Sequence, residues 1–144
     1  MKPKKMLKIR PVKKEDKEIL IKLFTQLTGV ESDFDLDTIL SDDRCKCIVL
    51  EDDGVVIGSA TLSLYNSPVK GGVGSVEDVI VDKNYRGQGL GRKLMNELIE
   101  IGEKENSAFI TLTSNPKREA ARRLYQSLGF KLYDTGFFKL NLNK

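Results

Sequence analysis

The chain has 144 residues, of which 40% are hydrophobic and 31% charged, and its formal net charge at pH 7 is +3. This composition is typical of a soluble globular domain, and no apolar run approaches the ~20 residues that a membrane-spanning helix needs. The charge is spread along the chain, without the clustered arginines and interleaved aromatic residues of a nucleic-acid binder. We therefore expect one cytoplasmic domain over 1–144, with a flexible tail at 1–6, that binds neither membrane nor nucleic acid.

The first part of the chain predicts a strand followed by helices. Residues 8–12 predict a short strand, and apolar residues then recur at helical spacing over 19–27, before Gly29, which suits a helix end. The segment 31–43 contains six acidic residues and predicts a second, short helix. These carboxylates either attract a cationic substrate or form an ordinary solvated face.

The middle of the chain predicts antiparallel strands. Two β-rich runs, 47–51 and 55–64, flank Asp52-Asp53-Gly54 and predict a hairpin. Residues 66–74, rich in glycine and proline, predict a flexible loop, and 75–82 predict a buried strand.

Two cysteines and the absence of histidine limit the chemistry. Cys45 and Cys47 lie two apart on a predicted strand, so both thiols point to one face and make poor disulfide partners. With so few soft ligands we expect no bound metal. Any acid–base step must use carboxylates, tyrosine, lysine, cysteine or water.

The second half of the chain predicts a parallel crossover. A helical pattern begins at Leu90, a strand follows at 108–112, and a second helical pattern over 120–128 is stopped by Gly129. Residues 131–142 predict a final hairpin. The predicted fold is a mixed α/β domain whose central, mostly antiparallel sheet is interrupted by one parallel pair.

A glycine-rich run joins the strand at 75–82 to the helix that begins at Leu90. It reads Arg86-Gly87-Gln88-Gly89-Leu90-Gly91. Glycines let a backbone approach a ligand closely, and the N–H groups that open a helix are unpaired donors with partial positive charge. The spacing matches neither a Walker loop nor the dinucleotide fingerprint. The run therefore predicts either a cradle for a pyrophosphate or a plain turn before the helix.

Three stretches together resemble the GNAT family of N-acetyltransferases. They are Val76–Val81, then Arg86-x-x-Gly89-x-Gly91, then Ala121-Arg-Arg-Leu124-Tyr125-x-x-x-Gly129-Phe130. The resemblance covers 8–142 and implies a twisted sheet, flanked by helices, whose parallel pair splays apart to admit acetyl-coenzyme A. It implies transfer of acetyl to a primary amine of a small molecule or a peptide, and it leaves room for a homodimer.

The resemblance also implies a set of residues that bind the coenzyme. Backbone N–H groups of the glycine run would hold the pyrophosphate, and the pantetheine would follow the strand edge, whose free amides suit a ligand with two amides of its own. Family members often carry Asn seven residues before the motif Tyr, where this chain has Arg118. Asn115 is the candidate replacement, while Arg118 either meets a coenzyme phosphate or lies in solvent. The full set is Val79, Ile80, Val81, Arg86, Gly87, Gln88, Gly89, Leu90, Gly91, Arg92, Asn115 and Arg118.

Three catalytic roles follow from the resemblance, each with a plainer alternative. Tyr125 is the expected general acid for the departing thiolate, or else a core tyrosine with a satisfied hydroxyl. Glu77 accepts the amine proton directly or through water, or else pairs with a lysine, and alternation would turn Asp78 to the opposite side. The Val79 backbone N–H stabilises the oxyanion, or is an ordinary ladder amide.

Two further functions compete with general amine acetylation. Val76-Glu77-Asp78-Val79 and the compact length also resemble the glucosamine-phosphate N-acetyltransferases, for which Lys70 is thin support as a basic acceptor residue. The chain is otherwise a non-catalytic module that binds acyl-coenzyme A and regulates or recruits another protein.

Overall fold

The computed structural model describes residues 6–142, in two compact units that meet in sequence between Leu112 and Thr113. The tail expected at 1–6 lies, apart from Met6, outside the described residues. The strands are β1 Leu7–Pro11, β2 Cys45–Asp52, β3 Val55–Ser67, β4 Gly71–Val81 and β5 Phe109–Thr111, and the helices are α1 Lys17–Thr28, α2 Leu36–Leu40, α3 Leu90–Lys104 and α4 Glu119–Ser127. Short 3₁₀ turns occupy Lys14–Asp16 and Lys83–Tyr85.

A single sheet organises the first unit. Its strand order is β1-β2-β3-β4-β5, and every pair is antiparallel except β4 and β5, which are parallel. Helix α3 provides the crossover between these two strands. The mixed α/β fold class and the single parallel pair predicted from the sequence are confirmed.

Helices α1 and α3 cover opposite faces of this sheet. On one face, α1 packs into a cluster of five buried residues, Leu20, Leu23, Val49, Val56 and Ile80. Neighbouring strand residues point to opposite faces, so Leu50 points away from this cluster. A Cβ added at Gly58 would lie 3.3 Å from Leu94 of α3 and 3.7 Å from Leu50. Gly58 therefore lets α3 approach the other face closely.

Local signals place several turns correctly. Asp53 and Gly54 both have positive φ, 48° and 83°, as a two-residue hairpin turn requires. Gly29, with φ 77°, ends α1 through a left-handed cap.

No helix among residues 6–142 is long and apolar enough to cross a membrane.

The flexible loop predicted at 66–74 is wrong. Strands β3 and β4 run through most of it, and the turn itself spans only 68–70. Gly74 lies inside β4, where an added Cβ would come within 3.0 Å of Leu62. Gly74 therefore meets a packing requirement inside a strand.

The hairpin predicted at 131–142 is also wrong for the chain as described, since none of these residues belongs to a strand. Alternating apolar residues show that a segment can pair, but a ladder also needs a partner strand. Large apolar side chains along the segment are left uncovered, and Phe138 is 94% exposed.

Candidate functional site

One edge of β4 is left open where the parallel pair ends. Strand β5 pairs only with Val73–Ser75. Within the part of the chain that the structure describes, the stretch Val76–Val81 therefore has no strand beside it on the β5 side. Unpaired backbone groups along such an edge are available to an extended ligand that carries amides.

A β-bulge interrupts the same stretch on its other side. Ser59 lies opposite Ile80 and Thr61 lies opposite Glu77, so Asp78 and Val79 together face a single residue of β3. Asp78 has φ 52°, an uncommon conformation for a residue other than glycine. Bulges are frequent beside active sites because they re-aim backbone and side-chain groups. The bulge takes the neighbourhood of the Val79 N–H out of the regular ladder.

Two carboxylates flank the bulge. Glu77 is exposed, and its Oε1 accepts a hydrogen bond of 2.9 Å from the Ser75 hydroxyl. Asp78 as a whole residue is exposed, but its carboxylate is partly desolvated, and this desolvation raises its pKa. The negative charge of Glu77 raises the pKa of Asp78 further. Strict alternation, which predicted opposite sides for these two residues, does not extend through a bulge.

Asp78 also acts on the two cysteines of β2. Burial raises the pKa of both the Cys45 and the Cys47 thiol, and the negative charge of Asp78 contributes to the rise in each. Both cysteines are free thiols, as the sequence analysis expected. A raised pKa keeps them protonated at neutral pH, so neither thiol is activated as a nucleophile.

The loop after β4 is held in place by its own polar contacts. The Asp82 carboxylate accepts a hydrogen bond from the Asn84 N–H at 3.0 Å, and the Arg86 Nε donates to the Val81 carbonyl oxygen at 3.1 Å. Arg86 thereby joins the start of the glycine run to the end of the open edge. This bridging role is one that sequence reasoning missed.

The glycine run opens α3 without obstructing it. Gly87 and Gly89 have φ of 78° and 77°, and a Cβ at either position would meet no atom within 4 Å. Gly89 is the N-cap of α3 and provides no side-chain cap, while Leu90 is buried and anchors the first turn. An open, uncapped helix N-terminus fits a phosphate group.

The other residues of the first unit that are predicted to bind the coenzyme differ in which of their groups are accessible. Ile80 is 5% exposed and packs into the α1 cluster, so only its backbone is available. Val79 and Val81 are half-buried, whereas Gln88 and Arg92 are exposed beside the glycine run. The structure thus brings together the open edge, the bulge and the helix opening.

The second unit contains the other predicted residues. Tyr125 is buried in α4, and its ring packs edge-on against Phe130 at 6.2 Å between centroids. Asn115 is exposed and its Oδ1 accepts a hydrogen bond from the Lys117 N–H at 2.9 Å. Arg118 is exposed at the start of α4.

Ser114, in the same unit, is a polar residue that sequence reasoning did not single out. Its Oγ is buried and has no hydrogen-bond partner, while its carbonyl oxygen accepts from Arg122 Nη2 at 2.9 Å. A buried hydroxyl without a partner is unusual. No motif surrounds it in the sequence, so no local signal could have found it.

Comparison with known proteins places this architecture in a family. The profile of the acetyltransferase (GNAT) family matches residues 15–130. The chain belongs to this family, which confirms the resemblance seen in the sequence.

Two curated relatives and one solved structure illustrate the similarity. The chain is 37% identical over 83 residues to glucosamine 6-phosphate N-acetyltransferase of Trypanosoma brucei brucei, covering 56% of this chain and 54% of that protein. It is 32% identical over 85 residues to L-2,4-diaminobutyric acid acetyltransferase of Marinococcus halophilus, covering 59% and 48%. The chain thus spans about half the length of these curated relatives. An aminoglycoside N-acetyltransferase solved in complex with CoA shares the fold, with a TM-score of 0.85, 23% identity and 98% of each chain covered.

Proposed function

We propose that this chain is an acetyl-coenzyme A-dependent N-acetyltransferase that transfers acetyl to a primary amine by direct attack within a ternary complex. The observation that carries the proposal is the open, bulged edge Val76–Val81 leading into the uncapped start of α3. Membership of the acetyltransferase family supports it.

The residues present fit acetyl-coenzyme A. Backbone groups of Val79–Val81 lie on the open edge and suit the amides of an extended pantetheine. Backbone N–H groups from Gln88 to Gly91 suit the pyrophosphate, because Gly87 and Gly89 leave the space above them empty. Bound acetyl-coenzyme A supplies an activated thioester.

Three groups of the chain then take the catalytic roles of oxyanion donor, general base and general acid. The Val79 N–H, beside the bulge, stabilises the negative charge that develops on the thioester oxygen. Glu77, held by the Ser75 hydroxyl, accepts the proton of the attacking amine directly or through water. Tyr125 protonates the departing thiolate, a role that the Leu-Tyr-x-x-x-Gly-Phe motif supports.

The acceptor is a primary amine, and the acidic segment 31–43 gives little support for a strongly cationic one. Asp35 caps α2 through the Thr38 N–H, Asp42 accepts from the Arg44 N–H, and Asp33 pairs with Lys17 at 3.0 Å. Carboxylates occupied by local contacts are typical of a solvated face.

A second candidate is acetylation of glucosamine phosphate. The Trypanosoma brucei brucei relative, at 37% identity over 83 residues, is the observation that favours it. A sugar phosphate also needs a cation near the acceptor, and Lys70, exposed in the β3–β4 turn, is the residue to substitute first. Loss of turnover with glucosamine 6-phosphate, but not with other amines, in Lys70→Ala would support this acceptor.

A thiol-release assay with a panel of amines tests the proposal. The panel contains glucosamine 6-phosphate, 2,4-diaminobutyrate, an aminoglycoside and a peptide with a free N-terminus. Free coenzyme A that appears only when an acceptor is present supports catalysis. Binding of acetyl-coenzyme A by calorimetry, with no turnover on any amine, favours a non-catalytic module and contradicts the proposed activity.

Two variants test the catalytic assignments in the same assay. Tyr125→Phe should lower kcat by ~10²-fold or more while leaving acetyl-coenzyme A affinity unchanged, because general acid catalysis contributes about that much. Glu77→Gln should alter the pH dependence of kcat/KM, whereas Ser75→Ala, which removes only the supporting hydrogen bond, should change it less. A full rate in Tyr125→Phe, or an unchanged pH profile in Glu77→Gln, would contradict the respective role.

A further inference from the structure

A side chain of α1 is joined to the loop that precedes the glycine run. The Gln26 Oε1 accepts a hydrogen bond of 3.0 Å from the Lys83 backbone N–H, 57 residues further along the chain. Lys83 opens the 3₁₀ turn Lys83–Tyr85, and the next residue, Arg86, begins the glycine run. Gln26 therefore contacts the backbone that leads into the opening of α3.

The turn needs this contact because of its own geometry. The first N–H groups of a 3₁₀ turn have no acceptor within the turn. The Asp82 carboxylate accepts from the Asn84 N–H, and Gln26 accepts from the N–H of Lys83. Two side chains, one from the loop itself and one from α1, thus satisfy the first two N–H groups of the turn and fix its orientation.

The position of Gln26 is itself fixed by the core. Leu23, three residues earlier on α1, belongs to the buried cluster that also contains Ile80. Residues three apart on a helix are neighbours on its surface, so half-buried Gln26 lies at the border of this packed face. Ile80 is part of the open edge of β4. One helix therefore packs against the open edge and also holds the loop that leads to the glycine run.

We propose that Gln26 is a positioning residue that holds the glycine run at the place where the pyrophosphate of the coenzyme must bind. The inference rests on the proposed function, in which the open edge binds the pantetheine and the glycine run binds the pyrophosphate. Both groups belong to one ligand, so the spacing of the two binding regions must match that ligand. A displaced loop weakens the hydrogen bonds to the pyrophosphate, because their strength falls steeply as the angle at the hydrogen closes.

Two substitutions separate the hydrogen bond from the bulk of the side chain. Gln26→Leu keeps a similar volume without an acceptor, and the loss of one neutral hydrogen bond should weaken coenzyme A binding by about 3–10-fold. Gln26→Glu keeps an acceptor oxygen. It should bind within about 2-fold of the wild type in 0.15 M salt, which screens the added charge beyond about 8 Å. Titration calorimetry measures both affinities.

Thr28→Val is the matched control on the same helix. The Thr28 hydroxyl also makes hydrogen bonds, but to the backbone of Phe24 and Val30 and not to the loop. This variant should lose those bonds at the end of α1 and keep the wild-type affinity for coenzyme A. Thermal unfolding measures whether each variant is folded.

Pantetheine provides a readout that a general structural role would not give. It carries the amides of coenzyme A but no pyrophosphate, so Gln26→Leu should leave its affinity, measured by chemical-shift titration, unchanged. Amide hydrogen exchange at residues 83–86 should be faster in Gln26→Leu than in the wild type, and Gln26→Glu should restore the wild-type rate.

Four results would overturn the inference. They are a wild-type affinity for coenzyme A in Gln26→Leu, an equal loss of affinity for coenzyme A and pantetheine, a failure of Gln26→Glu to retain affinity, and an equal loss in Thr28→Val. The proposed function fails in a different way. A folded wild type that binds no coenzyme A would contradict the proposed function and this inference with it, whereas wild-type binding that Gln26→Leu does not change would contradict the inference alone.

Discussion

The substitution Gly89→Val tests whether the opening of α3 binds the pyrophosphate. Gly89 has φ 77°, and a Cβ built there would meet no atom within 4 Å, so the new side chain would occupy the space that a ligand needs. A left-handed conformation costs a residue other than glycine about 1–2 kcal/mol of folding stability. The variant should fold with a lower Tm and bind coenzyme A poorly.

The loss of affinity can be worked out from the contacts at stake. A hydrogen bond to a charged group contributes about 1.5–3 kcal/mol. Loss of two such bonds from backbone N–H groups to the pyrophosphate would raise Kd by at least ~100-fold. Titration calorimetry with coenzyme A measures this change directly, and thermal unfolding measures the cost in stability.

Gly54→Val is the matched control. Gly54 also has a left-handed conformation, φ 83°, with nothing within 4 Å of its Cβ position, but it lies in the β2–β3 turn. Both variants should therefore lose similar stability, and only Gly89→Val should lose affinity. A folded Gly89→Val protein with wild-type affinity, or an equal loss in Gly54→Val, would refute the phosphate cradle.

Three other substitutions, one of them with a control variant, test the electrostatics and packing of the first unit. Asp78→Asn should raise the stability of the protein at neutral pH and lose that advantage in acid. The pKa of Asp78 is raised in the folded state, so its carboxylate destabilises the fold only while it is charged. Thermal unfolding across pH measures this effect, and a gain in stability that does not change with pH would contradict it. Asp16→Asn should cost about 1.5–3 kcal/mol in urea unfolding at pH 7, because it removes charged hydrogen bonds to Arg10, which keeps Glu51 as its other partner. The pKa of Asp16 is lowered from 3.8 chiefly by its hydrogen bond to Arg10, so the wild type should lose the stability that this pair contributes as the pH falls below 3.8. Asp33→Asn is the control, because the pair of Asp33 with Lys17 is exposed and its loss should leave stability unchanged. Gly58→Ala should destabilise by about 1–3 kcal/mol, since its Cβ would lie 3.1 Å from a backbone carbonyl oxygen of β4, and wild-type stability would contradict this.

The sequence predicts those elements whose signals are local. The amphipathic pattern of α1 and its end at Gly29 lie within one short window, and so does the Asp53-Gly54 turn. The loop prediction at 66–74 missed the strand because the reason for Gly74 is distant in sequence, where Leu62 occupies the space of a side chain. A glycine required by packing and a glycine that gives flexibility look identical in a single sequence.

The bulge at Asp78 and Val79 could not be predicted for a related reason. It arises from the register between β3 and β4, which depends on both strands at once. Alternation assigned sides to Glu77 and Asp78 as if the strand were regular. The glycine run after β4 was visible in the sequence, but the bulge and the early end of β5 emerge only from strand pairing.

Among residues 6–142, the stretch Val76–Val81 has a strand on its β3 side and none on its β5 side, and its residues indicate what the open side can accept. Along Val76–Val81 the bulge and the adjacent carboxylates, Glu77 and Asp78, discourage pairing with another protein strand while leaving backbone groups open to a small ligand. An open edge made of backbone and charge therefore suits a coenzyme.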